Sequence, residues 1–376
     1  MQPLTGVTVI DFSTLLPGPL ASLILAEAGA EVIKVERPGE GDAMRGFGTP
    51  FGESSVEFML LNRGKRSIEL DLKAPDSRER LEPLIRRADV LIEQFRPGVM
   101  TRLGLGYDEL QVLNPKLIYC SLTGYGQSGP KSGAAGHDLN YLAETGLLRL
   151  GADAHGDPVI PPALIADIGG GAYPVVINVL LSLRQREQSG QGCFLDIAMT
   201  DQLFPFQYWA QGIAEATARV PKPGAELLTG GSPRYQVYRT KDGKYLAAAP
   251  LEQRFWENFC AAIDLDASFR LDQTDLEATR AAVASIIQSR TASEWMRVFS
   301  KTDACVCVVA DVGEATRDPQ FAGRGLFSHR VGDENTDLTA AAVPLSPLFR
   351  SAPGIVPAPA LGEANEQYLT ASKEDR

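Results

Sequence analysis

Three residues of this chain could move a proton or carry an acyl group. His137 is one of only three histidines among 376 residues, and it lies between a glycine and an aspartate in "GHDLNYLAETG" (136–146), just ahead of a helical pattern. An imidazole titrates near neutrality, so it can give or accept a proton where most side chains cannot. Its plainer reading is a loop residue before a helix that Asp138 caps. Asp167 stands in "LIADIGGGAYP" (164–174). It too can be a helix cap, but three successive glycines are costly at a helix start and suit backbone that must approach another group closely. Free N–H groups there would suit a carbonyl oxygen or an oxyanion. Glu252, in "APLEQRFW" (249–256), falls in a first helical turn, where a carboxylate complements the helix dipole.

The elements that must position these residues follow a βα pattern. "VTVIDF" reads as a buried strand, "GPLASLILAEAGA" as a short apolar helix and "EVIKVERP" as a second strand closed by proline. The alternation continues through "SIELDL", "SRERLEPLIRRA", "DVLIEQF", "YDELQVLNP" and "KLIYCSLTGYG", then a long helix from the glycine run to "RQREQSG" and the strand "GCFLDIAM". This predicts an α/β class with a Rossmann-like large domain built on a parallel sheet. The link "STLLPGP" is neither G-x-G-x-x-G nor a P-loop, so no dinucleotide is expected. "YQVYRTKDGKYLAAAP" predicts a hairpin, and helices at "EQRFWENFCAAI" and "TASEWMRVFSKT" with a strand at "ACVCVVA" complete a small α+β domain. The expected boundaries are 1–190 for the N-terminal part of the large domain, 191–224 for a linker, 225–315 for the small domain, 316–340 for a second linker, and 341–376 for a return to the large domain.

Composition narrows the class of function. The chain is 44% hydrophobic and 22% charged, with a formal charge of −11. That is ordinary for a soluble domain and argues against a nucleic-acid partner, so an anionic ligand would need locally placed arginines and lysines. Five cysteines, an odd number in mostly apolar runs, suit buried free thiols in a reducing compartment. Cys305 and Cys307 lack further soft ligands nearby, and His155 and His329 read as surface loop residues, so no metal is expected. The start "MQPLTGVTVIDF" does not read as a signal peptide, and "YPVVINVLLSL" (173–183) is short for a membrane span. A cytoplasmic protein without a membrane partner is the expectation.

Several blocks in order carry a resemblance. The opening "VIDFSTLLPGP…AGAEVIKVERP", then "LNRGKRSIELDLK" (61–73), "DVLIEQFRPGVMTRLGLGY" (89–107), "TGYGQSGP…GHDLNY", "ADIGGGAY", "GGSPRYQVYRTKDGKYLAAAPLEQRFW" and "LGEANEQYL" together resemble the family III CoA-transferase superfamily. Within it the chain is most similar to the α-methylacyl-CoA racemases. The resemblance implies an interlocked homodimer, with an active site between the large domain of one chain and the small domain of the other. It implies that His137 and Asp167 form the acid–base pair, that Glu252 assists them, and that the backbone N–H of Asp138 stabilises the enolate oxygen. A two-base racemase needs one proton acceptor on each face of the α-carbon of an acyl-CoA thioester, and an aspartic acid needs burial or a neighbouring carboxylate to hold a proton. The resemblance places the CoA contacts on Leu15, Leu16 and Pro17 at the pantetheine end, and on Arg37, Asn62, Arg63, Lys65, Arg66, Gln94, Phe95, Arg96, Met100 and Arg102 around the nucleotide. Coenzyme A enters as part of the substrate, and no separate cofactor is implied.

The same superfamily holds a second chemistry. In its transferases the aspartate at the position of Asp167 attacks a thioester and carries the acyl group as an anhydride. The resembling transferases generally carry another residue where His137 stands and a longer glycine loop than "TGGSP", which favours racemization here. The chain departs from the racemase pattern at Pro250 and Arg254, so the acyl group stays open.

Overall fold

The protein is described by a computed structural model covering residues 2–153, 155–333 and 336–369. The chain forms two compact units. The first comprises residues up to Thr145, Pro161–Phe206, and the chain from Pro319 onward; the second comprises Gly146–Ile160 and Gln207–Asp318.

The first unit is built on six parallel strands: β1 (Thr8–Asp11), β2 (Glu31–Glu36), β3 (Arg66–Glu69), β4 (Val90–Glu93), β5 (Ile118–Thr123) and β6 (Cys193–Ala198), in the order β3-β2-β1-β4-β5-β6. The connecting helices are α1 (Pro17–Glu27), α2 (Val56–Asn62), α3 (Ser77–Arg87), α4 (Tyr107–Leu113), α5 (Asp138–Glu144) and α6 (Tyr173–Ser189). Parallel pairing requires crossovers, and helices on the faces bury the strands on both sides, which is why the strands read as continuous apolar runs. One face packs Ile10, Ile33 and Leu91 against Leu81, Leu84 and Ile85 of α3 and Leu110 of α4. This is the doubly wound order, whose switch point lies between β1 and β4.

Several expected boundaries move. Residues 193–198, read from the sequence as a strand but placed beyond the expected boundary at 190, form β6 at the edge of the large sheet and belong to the first unit. The stretch 146–160, expected inside the large domain, belongs to the second unit. Gly146 turns the chain at φ +85°, and Leu150 O accepts from the Gly224 N–H at 3.0 Å. The second expected linker contains two short strands, His329–Gly332 and Asp337–Ala340, paired antiparallel and joined by Ile355–Val356. His329 is therefore buried on a strand rather than exposed in a loop, while His155 is exposed. Beyond residue 356 the chain reaches the β3 edge, where Ala364 N–H donates to Ser67 O and Asn365 Oδ1 accepts from Glu69 N–H. Residues 370–376 of the expected C-terminal return lie outside the described residues.

The glycine run is helical. Ala166–Ala172 is a π segment that continues directly into α6. The combined helix Ala166–Ser189, 24 residues, is long and apolar enough to cross a membrane by length and composition, although the apolar run 173–183 is by itself short for a span. Half of its apolar window is buried in the protein, with Val175, Val176 and Val179 inside and Tyr173, Ile177, Leu180 and Leu181 exposed.

The second unit contains a three-stranded antiparallel sheet of β7 (Gln236–Arg239), β8 (Tyr245–Ala248) and β9 (Val306–Val308), with α7 (Gln253–Ala262), α8 (Leu276–Ile287) and α9 (Ala292–Phe299). Its core stacks Trp256, Phe259, Trp295 and Phe299. Cys120 and Cys260 are buried as expected, but Cys307, on the edge strand β9, and Cys305, just before it, are exposed.

Candidate active site

The residues just beyond β1 and β4 converge at the switch point of the sheet, where open α/β folds bind ligands. Leu15 and Pro17 follow β1; Gln94, Phe95 and Arg96 follow β4; Thr123 ends β5 and Gly124 follows it. Together with His137, Asn140 and Tyr141 of the α5 start, Asp167 of the π segment and Met199 after β6, they line a cavity of about 380 Å³. Thus His137 and Asp167, 30 residues apart in sequence, share one cavity.

His137, not Asp138, is the N-cap of α5. Its backbone is extended, and its N–H donates to Asn140 Oδ1 at 3.1 Å. Asp138 is buried, and its carboxylate reaches away from its own helix: Oδ1 accepts the N–H groups of Ala166 at 2.6 Å and of Asp167 at 3.0 Å. The Asp138 N–H itself, at the first position of α5, has no acceptor among the described residues, as the first turn of a helix leaves it. Burial pushes the Asp167 carboxyl up to about 6, the Asp138 charge adds to this, and His137 opposes it. Burial also raises Asp138, against the two backbone N–H groups that favour its charged form. Tyr141, pushed up to about 12 by burial and then by Asp167, stays a phenol and donates to Gly136 O at 2.6 Å. Its ring lies so close to Gly124 and Gly136 that a Cβ on either would stand 2.6 or 2.7 Å from a ring carbon. Those glycines are required by the tyrosine. In the π segment a Cβ on Gly170 would meet Met199 O at 2.7 Å, so the close approach expected of the glycine run is to the protein's own backbone.

The loop under the cavity rests on buried charge. Asp11 at the end of β1 accepts from the Ser13 N–H and hydroxyl and from the Ser22 hydroxyl, and it pairs with Lys65 at 3.3 Å. Lys34 Nζ donates to Ser13 O at 2.7 Å and pairs with Asp42 at 2.9 Å, with both side chains fully buried. Burial would raise Asp11, but the Lys65 and Lys34 ammonium groups and the two hydroxyls outweigh it and hold the pKa at about 2. Asp42 also accepts from the Leu15 N–H at 3.1 Å, fixing Leu15 at φ +63°, a left-handed conformation that costs a non-glycine residue energy.

The expected CoA contacts separate into groups. Leu15, Pro17, Gln94, Phe95 and Arg96 line the cavity. Leu16 is the N-cap of α1. Arg37 and Arg66 are exposed, paired with Glu40 and Glu363. Arg102 is exposed, and Met100 is buried in the core while also lining a second cavity of about 280 Å³ with Tyr107, Tyr119, Phe194 and Arg96. Asn62, Arg63 and Lys65 do not face the first cavity. Lys65 donates to Asn62 Oδ1 and Pro19 O, while Arg63 pairs with buried Glu27 and donates to Leu60 O and Ala341 O. A buried cation must be paired and hydrogen-bonded, and these have found interior partners. Glu252 is the N-cap of α7 in the second unit. The sequence reading missed Tyr141, although it lies four residues after His137 and so on the same helical face. It also missed the Asp11–Lys34–Asp42 cluster, whose signal was a lysine inside the apolar strand "EVIKVE".

A doubly wound sheet with a carboxyl and an imidazole at its switch point defines an α/β enzyme. The chain belongs to CoA-transferase family III, whose model matches residues 4–365. It is 34% identical to the human alpha-methylacyl-CoA racemase over 97% of this chain and 92% of that one. It is 31% identical to the human succinyl-CoA:glutarate CoA-transferase over 87% of this chain and 76% of that one. Among solved structures it is similar to a CAIB/BAIF family protein from Brucella suis, with a TM-score of 0.84 and 27% identity over 97% of this chain and 98% of that one. Its relatives thus include both racemases and CoA-transferases.

Proposed function

We propose that the protein racemizes or epimerizes a 2-methylacyl-CoA thioester by moving the α-proton between His137 and Asp167 through an enolate. The observation that carries this reading is the sharing of one cavity by His137 and an Asp167 carboxyl raised to about 6, poised to hold or release a proton near neutrality. One group removes the α-proton from one face, and the other returns a proton to the opposite face. The Asp138 N–H is the proposed donor to the enolate oxygen, and Glu252 assists the pair. The thioester's nucleotide is bound through Arg96 and the exposed arginines, with Leu15 and Pro17 along its pantetheine arm. We further propose a cytoplasmic homodimer, in which the exposed apolar side chains Tyr173, Ile177 and Leu181 of α6 are covered.

The second reading is a CoA-transferase, supported by the relatives that carry that name. Asp167 would then attack the thioester, releasing the CoA thiolate and forming a mixed acyl anhydride. The thiolate attacks the Asp167 carbonyl, expelling the donor acid and leaving an aspartyl thioester. The acceptor carboxylate displaces the thiolate to form a second anhydride, whose acceptor carbonyl the thiolate attacks to give acceptor-CoA and free Asp167. The deciding experiment is incubation with a 2-methylacyl-CoA in deuterated water, with and without a free carboxylic acid, plus hydroxylamine trapping. The racemase reading expects deuterium at the α-carbon at the rate of turnover, no hydroxamate on Asp167, and loss of racemization by about 10²–10⁴ in His137→Ala with CoA-ester binding retained. A hydroxamate on Asp167 without α-exchange would establish the transferase instead.

A further inference from the structure

Asp138 stands beside the acid–base pair in sequence, yet its carboxylate serves a different segment. It is 6% exposed. Its Oδ1 takes two N–H groups at the start of the π segment, those of Ala166 and of Asp167 itself, 28 and 29 residues away. The first N–H groups of any helical segment lack partners within it, and an anion at that end is favoured. Because Asp138 directly follows His137, a single peptide joins the imidazole-bearing residue to the anchor of the carboxyl-bearing one.

We propose that the Asp138 side chain is the positioning residue of the acid–base pair: it fixes the backbone that carries Asp167 and keeps a negative charge beside that carboxyl. The inference rests on the reading of Asp167 as the proton-carrying group. Among the described residues, the charged and titratable groups that interact with Asp167 come from the α5 start. Asp138 disfavours its ionisation and His137 favours it, while Tyr141 is held as a phenol. The side chains that approach the three glycines most closely, from α1 and from residues 199–206, are Pro17, Met199, Leu203 and Phe206, and none of these titrates. Among the described residues of the first unit, Asp138 is thus the anion that shifts Asp167, and it is tied to Asp167 by the same oxygen that fixes its backbone.

Two variants separate the two parts of this role. Asp138→Asn keeps a carbonyl oxygen able to accept both N–H groups but removes the charge. Asp138→Ala removes both. The titration of Asp167 is followed by ¹³C NMR on enzyme labelled at the aspartate carboxyl carbons, with the signal assigned by Asp167→Asn, and kcat and KM are measured across pH. In Asp138→Asn the Asp167 midpoint is expected to fall by about half a unit or more, moving the acid limb of the pH profile with it, as loss of a neighbouring like charge requires. In Asp138→Ala, kcat is expected to fall by about 10- to 100-fold with KM for the CoA ester little changed, the signature of a misplaced group. An unmoved Asp167 midpoint in Asp138→Asn overturns the proposal, and so does wild-type kcat in Asp138→Ala. Should Asp138→Ala fail to fold, Asp138→Asn still decides. The titration is read without turnover, so it stands apart from the deuterium-exchange test of the reaction itself.

Discussion

Asp11 is a fully buried aspartate of the first unit and Asp167 a half-buried one that lines the cavity, and their carboxyls are shifted in opposite directions. Asp11 is enclosed by Lys34, Lys65 and two serine hydroxyls, and its carboxyl is held at about 2. Asp167 has Asp138 as its near anion and only His137 opposing, and its carboxyl rises to about 6. Burial penalises the charged form of both, and the sign of the neighbours decides the outcome. Where charge is matched the cluster is a fastening, and its loop can hold Leu15 in a left-handed backbone. Where charge is unmatched the site keeps a group that can change protonation near neutral pH. Such a group costs stability, and under the proposed function it is retained for chemistry.

This comparison can be broken at its matched end. Lys34→Met removes one of the two ammonium groups facing Asp11 and leaves Asp42 without its cation. Breaking a buried pair from one side costs about 3–5 kcal/mol, so urea unfolding should shift by that amount. A loss below about 1 kcal/mol would mean that the cluster is not the fastening described.

The unmatched end should respond with the opposite sign. A carboxyl at about 6 in the fold, against 3.8 for an ordinary aspartate, is harder to ionise folded than unfolded, so ionisation at neutral pH destabilises the fold. Asp167→Asn should therefore gain about 3 kcal/mol at pH 7 while abolishing activity. The gain should shrink as pH falls from 6 and vanish below about 4, where both states are protonated in the wild type. Chemical denaturation of wild type and variant at pH 7 and pH 4 measures this, and an equal difference at both pH values would contradict it.

The smallest effect sharpens the contrast in acid. A carboxyl lowered from 3.8 to about 2 contributes stability that is fully present above pH 4 and is lost as pH falls through 2. For Asp11 this amounts to about 2 kcal/mol. The wild-type unfolding free energy should therefore decline between about pH 4 and pH 2, and Asp11→Asn should flatten that segment of the curve.

Much of this arrangement was legible beforehand. The alternation of apolar strands and helices announced the parallel sheet, and the blocks around His137 and Asp167 announced the family. The reading of Asp138 as the cap of its own helix was not borne out: His137 caps α5, and the Asp138 carboxylate anchors the segment that carries Asp167. Arg63 and Lys65 looked like phosphate ligands in a basic block, but they face interior partners. Nothing in "LNRGKR" distinguishes a cation bound for solvent from one bound for a buried carboxylate across the fold.

The sequence by itself determined the elements, because strand and helix patterns are local, repeating at two residues or 3.6. It also determined which residue types were available for proton chemistry. Only the tertiary structure decided which of those groups would be matched and which left unmatched. The reason is that a buried charge takes its pKa from neighbours brought by other segments: Lys34 and Lys65 to Asp11, and Asp138 to Asp167, across 23, 54 and 29 residues. No local pattern encodes such partners, and their signs lower the carboxyl pKa of one aspartate and raise that of the other.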